Sequence, residues 1–334
     1  MNIYDIAELS GVSIATVSRV VNGSPRVSEQ TRQKVLSIME KYHYTPNVFA
    51  RGLGLDSMQI IGIICPDISD AYMARAVAFL ERRLREYGYD CILYCSGHDQ
   101  KRKEEAVELI MKKRVDALVL VGSTYTGYGE DDDSSTEYIQ RAAEKIPVFL
   151  INGKISGSNI YSVYNRDEEA SYDAVSRLIQ SGRKRVLFLT DSMSYSMAKK
   201  MEGYERALRE NGLPVLGELK LNLENRIHVV RDILLSRRTL AYDSVFATDD
   251  TLAVGAVKYA NAKGLSIPGE LSVIGYNNSE YSVCCEPELT TIDNTAEKLC
   301  NITIDNIMKL LKGEDVPAEV PVECMLVRRC TTDF

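Results

Sequence analysis

Residues 4–22, YDIAELSGVSIATVSRVVN, constrain this chain more than any other stretch. Ile6, Leu9, Val12, Val17, Val20 and Val21 recur at helical spacing and predict two short amphipathic helices. Ala7 is small where the two would cross. Gly11 marks a tight turn between them, where left-handed backbone is expected and a Cβ is penalised. Ser13 is the expected N-cap of the second helix and Asn22-Gly23 its stop. The outward positions are Ile14, Ala15, Thr16, Ser18, Arg19 and Asn22. Short polar or methyl-bearing groups with one cation suit close approach to base edges and phosphates. The same pattern also describes an ordinary helical pair whose polar face meets water.

Charge distribution bears on that choice. The net charge of −7 argues against a nucleic-acid partner until it is divided along the chain. Residues 1–55 carry Arg19, Arg26, Arg32, Lys34, Lys41 and Arg51 against Asp5, Glu8, Glu29 and Glu40, so the head is +2 and the remainder −9. A basic head on an acidic body draws phosphates while the body stays off them. At 334 residues, 45% hydrophobic and 26% charged, the chain has the composition of a globular protein with two or three domains. No leader sequence or membrane-length apolar run is visible, so a cytoplasmic location with no membrane partner is expected. The eight cysteines include no CxxC pair. Buried or part-buried free thiols are expected rather than a zinc cage or a disulfide framework.

Ser28 is the expected cap of a third helix running to about Tyr42, with Val35, Leu36, Ile38, Met39 and Tyr42 facing inward. Pro46 closes this small domain. Residues 47–54 read as a short helical segment weakened by glycine, and 56–57 as linker. From Gln59 onward strands alternate with helices. Ile60–Cys65 is a continuous apolar run, as expected of a parallel strand covered on both faces. Helices are predicted at 71–87, 100–113 and 135–144, with strands at 90–95, 116–121 and 147–151. A second round follows, with helices at 167–181, 196–211, 224–236 and 250–263 and strands at 185–190, 217–221, 243–247 and 271–275. A strand at 289–292, a helix at 296–312 and a closing pair near 319–330 complete the pattern. Two rounds of β-α repeats imply two doubly wound lobes with a ligand cleft between them. Residues 127–133 (GYGEDDD) read as a solvated loop.

These motifs resemble the lactose/galactose/purine repressor family, LacI/GalR. The resemblance rests on YDIAELSGVSIATVSRVVNG, VSEQTRQKV and YTPNVFARGL in that order, and on IIGIICPDISDAYMA, RLIQSGRKRVLFL, KMEGYERAL, VFATDDTLAVGA and LSVIGYNNS in the body. It spans essentially the whole chain. It implies an N-terminal all-α helix-turn-helix domain followed by a two-lobed α/β effector domain of the type I periplasmic-binding-protein kind. The expected limits are 1–45 for the DNA-binding domain, 46–57 for the hinge and 58–334 for the effector domain. Within the last, one lobe takes about 58–162 and 293–315, the other about 163–292 and 316–334.

The resemblance also implies site residues. Ile14 and Ala15 stand where the family reads bases. Both are apolar here, so hydrogen-bond readout falls to Ser13, Thr16, Asn22 and Arg26, while Ile14 meets a thymine methyl. Tyr4, Ser18, Arg19, Ser28 and Thr31 orient the domain on phosphates. Asn47, Ala50 and Leu53 match the hinge helix, with Leu53 as a minor-groove wedge. Gly52 and Gly54 replace residues commonly Ser, Lys or Thr, each costing a helix ~0.5–1 kcal/mol. A hinge that folds only on the operator is therefore expected. In the cleft, Tyr72, Ser123, Asn152, Lys200, Asp249 and Asn277 are the implied effector contacts. Lys200 stands where arginine is usual and Asn277 where aspartate is usual. A lysine cannot reproduce a planar fork, and an asparagine trades a charge for a donor. The implied effector is thus sugar-like without being a common hexose.

The implied function is a sequence-specific transcriptional regulator, a repressor, acting as a homodimer on a pseudo-palindromic double-stranded operator under small-molecule control. No leucine heptad follows the last strand, so a dimer is expected rather than a tetramer. No cofactor or metal is expected. An enzyme would need a phosphate-binding glycine loop or an acid-base constellation, and neither appears; His43, His98 and His228 fall in different elements. The remaining rival is a cytoplasmic sugar-binding receptor without sequence-specific DNA binding.

Overall fold

The computed structural model describes residues 2–21, 24–44, 57–127, 136–237 and 239–334. Asn22, residues 45–56, which take in most of the expected 46–57 hinge with Asn47, Ala50, Gly52, Leu53 and Gly54, and most of the acidic loop lie outside the described residues. Two compact units divide the chain: Met1–Ile60 with Arg114–Asp116, and Ile61–Lys113 with Ala117–Phe334.

Among the described residues the first unit holds three helices, α1 (Ile3–Ser10), α2 (Ile14–Val21) and α3 (Glu29–Lys41). Asn2 and Asp5 form a reciprocal capping box at the start of α1. Gly11 ends that helix at φ 63°, so the turn needs the residue the sequence supplies. Ser13 Oγ accepts the Thr16 N–H at 3.2 Å and Ser28 Oγ the Thr31 N–H at 3.3 Å, capping α2 and α3 as expected. Ile6, Ala7, Val17, Val20, Val35 and Met39 form the shared core. Leu9, Leu36 and Tyr42 depart from the expectation and are exposed. Leu36 is one residue, about 100° of helical turn, beyond Val35, and Tyr42 is the C-cap past the last buried turn. Ser10, which apolar spacing passes over, is buried with its hydroxyl donated to the Ile6 carbonyl.

The second unit is built from two six-stranded sheets. The first uses β1 (Ile60–Cys65), β2 (Asp90–Cys95), β3 (Ala117–Val121), β4 (Val148–Ile151), β5 (Ile160–Asn165) and β11 (Glu319–Val322), in the order 11-5-4-3-1-2. The second uses β6 (Val186–Thr190), β7 (Lys220–Asn222), β8 (Ser244–Ala247), β9 (Ser272–Tyr276), β10 (Thr290–Asp293) and β12 (Met325–Val327), in the order 12-10-9-8-6-7. The two orders match strand for strand. Each therefore reverses direction at the same place, between β1 and β3 and between β6 and β8, where open α/β sheets hold ligands. β12 runs antiparallel to β10.

Helices α4 (Ala71–Glu86), α5 (Gln100–Met111), α6 (Glu137–Ala143) and α12 (Ala296–Leu310) belong to the first lobe. Helices α7 (Asp167–Gln180), α8 (Tyr195–Glu210), α9 (Ile227–Ser236), α10 (Asp250–Lys263) and the short α11 (Tyr281–Cys284) belong to the second. Leu80 and Leu84 of α4 share one core with Leu299, Ile304 and Ile307 of α12 and with β1 and β3. Burial of each such side chain contributes ~1.5–3 kcal/mol. In the second lobe α7 and α8 pack so closely that a Cβ on Gly203 would stand 2.1 Å from the Glu168 carbonyl oxygen.

Three segments cross between lobes, at 165–167, 293–295 and 322–325. β5 carries the first sheet to residue 165 and β11 returns to it over Glu319–Val322. The exchange points expected at 162/163 and 315/316 move accordingly. β5 itself escapes the sequence pattern, because Tyr161 and Tyr164 are half-buried and interrupt the apolar run. The strand expected at 217–221 is a 3-10 turn, Gly217–Leu219, followed by the three-residue edge strand β7. The expected closing pair is no hairpin, since β11 and β12 join different sheets. All eight cysteines are free, but Cys95, Cys284 and Cys330 are exposed, correcting the expectation of burial. Among the described residues no helix is long and apolar enough to cross a membrane.

Candidate functional site

In the first unit, α2 turns its apolar stripe inward, with Val17 fully buried and Val20 nearly so. The opposite face is left outward. Ser13, Ile14, Ala15 and Arg19 are exposed, and Thr16 and Ser18 are half-buried. Tyr4 on α1 is 66% exposed and Ile14 42%, both high for residues of their size. The Ser13 and Thr16 hydroxyls lie 2.9 Å apart, and those of Ser28 and Thr31 2.8 Å apart, so each pair is held in place at a helix start. Arg26 is exposed, whereas Arg32 is engaged internally, donating to the Ser24 carbonyl at 2.6 Å. A rigid helix thus offers a methyl-rich, hydroxyl-bearing surface with a cation near its end. Such a surface can enter a major groove, contact thymine methyls and neutralise phosphate.

In the second unit, an inner pocket of about 110 Å³ opens between the lobes and continues into an outer cavity of about 690 Å³. Tyr72, Ser123, Asn152, Lys200, Asp249 and Asn277 all line the inner pocket. They follow β1, β3, β4, β8 and β9, with Lys200 on α8, so the ends of parallel strands converge as the fold requires. Gly122 shapes the floor at φ 114°, and a Cβ there would stand 2.6 Å from Met73 Cε. Asn152 and Asn277 also hold positive φ, 63° and 94°, which asparagine tolerates better than most residues. Asp250, beside Asp249 in sequence, turns away from the cleft. It accepts from Ser279 N–H (2.6 Å), Ser279 Oγ (2.9 Å) and Thr291 Oγ1 (2.5 Å).

The polar groups form a continuous network. Asn277 Nδ2 donates to Asp249 Oδ2 at 2.8 Å, and Asn277 Oδ1 accepts from Asn294 Nδ2 at 2.8 Å. The donor that asparagine gains over aspartate is therefore spent on Asp249. Ser123 Oγ donates to Ser194 Oγ at 3.0 Å, joining the two lobes across the cleft. Lys200 is buried, with Nζ donating to the Thr248 carbonyl at 3.1 Å and standing 3.7 Å from the Tyr276 ring centroid. Below it lies Asp167, fully buried, which accepts from Ser196 Oγ (2.5 Å) and Tyr276 Oη (2.6 Å). Burial pushes the Asp167 carboxyl up, against the pull of the Lys200 charge. Burial likewise pushes up Asp70 and Asp191, and the Asp249 charge adds to both. Burial also carries Asp250 up to about 7, against its hydrogen bonds from Thr291 and Ser279.

Sequence reasoning missed Asp70, Asp191, Ser194, Asn225 and Asn294, all of which line the pocket. A signal was present. Asp191, Asn225 and Asn294 each stand within three residues of a strand's end, where polar side chains face the crevice. Among the described residues no cluster of His, Cys, Asp and Glu could hold a metal.

Comparison with known proteins agrees with both halves. The family described as "Bacterial regulatory proteins, lacI family" matches residues 2–47. "Periplasmic binding proteins and sugar binding domain of LacI family" matches residues 58–330. An HTH-type transcriptional regulator of Lachnoclostridium phytofermentans is 47% identical over the full length of both chains. Catabolite control protein A of Priestia megaterium is 32% identical over 96% of this chain and 95% of its own. In three dimensions, the Lac repressor dimer bound to operator and the anti-inducer ONPF superposes with a TM-score of 0.85 at 24% identity, covering 99% of this chain and 98% of that one.

Proposed function

The chain belongs to the LacI family of DNA-binding transcriptional regulators, and on that premise we propose how it divides the work. Residues 1–45 read DNA, 46–57 form the hinge and 58–334 hold the effector. Two copies place their heads on a pseudo-palindromic operator and repress from it. Ile14 contacts a thymine methyl. Ser13, Thr16, Asn22 and Arg26 supply hydrogen bonds to bases. Tyr4, Ser18, Arg19, Ser28 and Thr31 hold phosphates. Asn47, Ala50 and Leu53 act in the hinge, with Leu53 wedging a central base step. A small sugar-like molecule bound by Tyr72, Ser123, Asn152, Lys200, Asp249 and Asn277 changes the balance between lobe arrangements, and with it the spacing of the heads. The reading assigns the cleft to binding alone, with no catalytic step.

The observation that carries the effector half is the convergence of those six residues, from six segments in two lobes, on one pocket. The DNA half is supported by the exposed Ile14–Arg19 face over its buried core. The lac repressor, whose fold this chain shares, has been seen as a dimer on its operator. The test is selection of duplexes from a random library by the full chain, followed by sizing of the complex. Enrichment of a two-fold symmetric site, bound by a dimer with strong salt dependence, is expected. Binding without sequence preference, or by a monomer, overturns the reading.

A further inference from the structure

The arrangement of charge in the cleft points to a ligand class, an inference that rests on the cleft being the effector site. Asp70, Asp191 and Asp249 line the inner pocket, and among its described lining residues Lys200 is the only cation. That ammonium is already engaged. It donates to the Thr248 carbonyl, rests on the Tyr276 ring and offsets the buried charge of Asp167. In the outer cavity Arg75 pairs with Glu297 at 3.4 Å and Arg226 with Glu224 at 2.9 Å, while Asp67 adds a further acid beside His98. The three inner carboxylates therefore share one pocket with no ion pair of their own among the described residues. Lys200 draws Asp191 down only against the larger effects of burial and the Asp249 charge, and Asp249 raises the proton affinity of both Asp70 and Asp191.

Hydrogen bonding points the same way. Asp70 accepts the Met73 N–H, and Asp249 accepts the Thr251 N–H and the Asn277 amide. Asn225 also lines the pocket, and its buried Oδ1 has no donor among the described residues. Tyr72 Oη is likewise buried in the lining without a partner among the described residues, but a hydroxyl accepts as readily as it donates, so acceptors are in excess and a ligand must bring donors. A phosphate or carboxylate would bring more negative charge and more acceptors into a partly desolvated site, where like charges repel strongly. A protonated amine supplies positive charge and three donors in one group. We infer that the cleft takes a cationic, hydroxyl-bearing effector of the amino-sugar class, with its ammonium set among Asp70, Asp191 and Asp249. Phosphorylated and carboxylated sugars are excluded.

Titration calorimetry on the full chain tests this with matched sets on the gluco, galacto and manno skeletons. Each set holds the 2-amino sugar, the neutral hexose and the hexose 6-phosphate. In one set or more, the amino sugar binds about tenfold tighter than its neutral twin, and the phosphate gives no heat. Asp191→Asn and Asp70→Asn, which keep side-chain shape, reduce that preference to about twofold or less. The inference is overturned if the neutral or phosphorylated member binds at least as tightly in every set, and the cleft then remains the effector site with different selectivity. It is overturned too if both variants keep the full preference for the amine. If no member of any set binds, both the ligand class and the effector reading fall.

Discussion

Lys200 places its ammonium over the face of Tyr276, 3.7 Å from the ring centroid, while the Tyr276 hydroxyl donates to Asp167. One aromatic ring thus separates a buried cation from a buried carboxylate and touches both. Replacing Lys200 with Met keeps the apolar stem but removes the cation–π contact, the bond to Thr248 and the charge that offsets Asp167. A desolvated cation–π contact alone is worth about 2 kcal/mol. Urea denaturation of Lys200→Met is expected to show a loss of at least that size, with the effector-dependent change in operator affinity abolished.

The close approach of α7 and α8 leaves no room at Gly203. A Cβ there meets backbone on the facing helix, which cannot rotate away as a side chain would. Gly203→Ala is expected to destabilise the body by ~1–3 kcal/mol, although alanine favours helix in isolation. An unchanged melting temperature would contradict the packing described.

Asp250 sets a pH dependence. Its carboxyl titrates near 7 in the fold against an ordinary value of 3.8. A raised folded value means the native state keeps its proton where the unfolded chain has lost it. Stability from this group is therefore fully present below pH 3.8 and is lost as pH rises toward 7, at ~1.4 kcal/mol per unit. Asp250→Asn can present its oxygen to the Ser279 N–H and its amide to Thr291. Chemical denaturation between pH 5 and 8 is expected to show a flatter profile for this variant than for the parent.

On the head, Arg19 is exposed at the end of α2. Arg19→Ala is expected to weaken binding similarly across operator variants and to reduce the slope of log K against log salt by about one. Ile14→Ala should act differently. It loses affinity chiefly for sites with a thymine at the contacted step, with little change in salt slope. Fluorescence anisotropy at several salt concentrations separates the two.

Much of this architecture was legible in the primary structure, and the failures have physical causes. Gly11, Ser13 and Ser28 announce their turn and caps because few residues serve there. The body's strands announce themselves by unbroken apolar runs, as in Ile60–Cys65. β5 is hidden because its tyrosines face partly outward, and β7 because three residues on an edge leave no periodic trace. Leu36 shows that apolar character alone does not fix which side of a helix is covered. In the cleft, Tyr72, Ser123, Asn152, Lys200, Asp249 and Asn277 were reachable through the family's motifs. Asp70 and Asp191 were not, since an acid after a strand reads as an ordinary loop residue until the fold brings it opposite another. The turning of Asp250 away from Asp249 depends on the partners Ser279 and Thr291, from distant segments, which no local pattern reveals.

The three crossings at 165–167, 293–295 and 322–325 have a mechanical consequence. A single strap between two bodies permits twist, tilt and slide alike. Three straps between the same bodies oppose twisting, because each would have to stretch or buckle by a different amount. What survives is swing about one line, as with a door hung at several points, and the Ser123–Ser194 bond joins the two leaves across the opening like a latch.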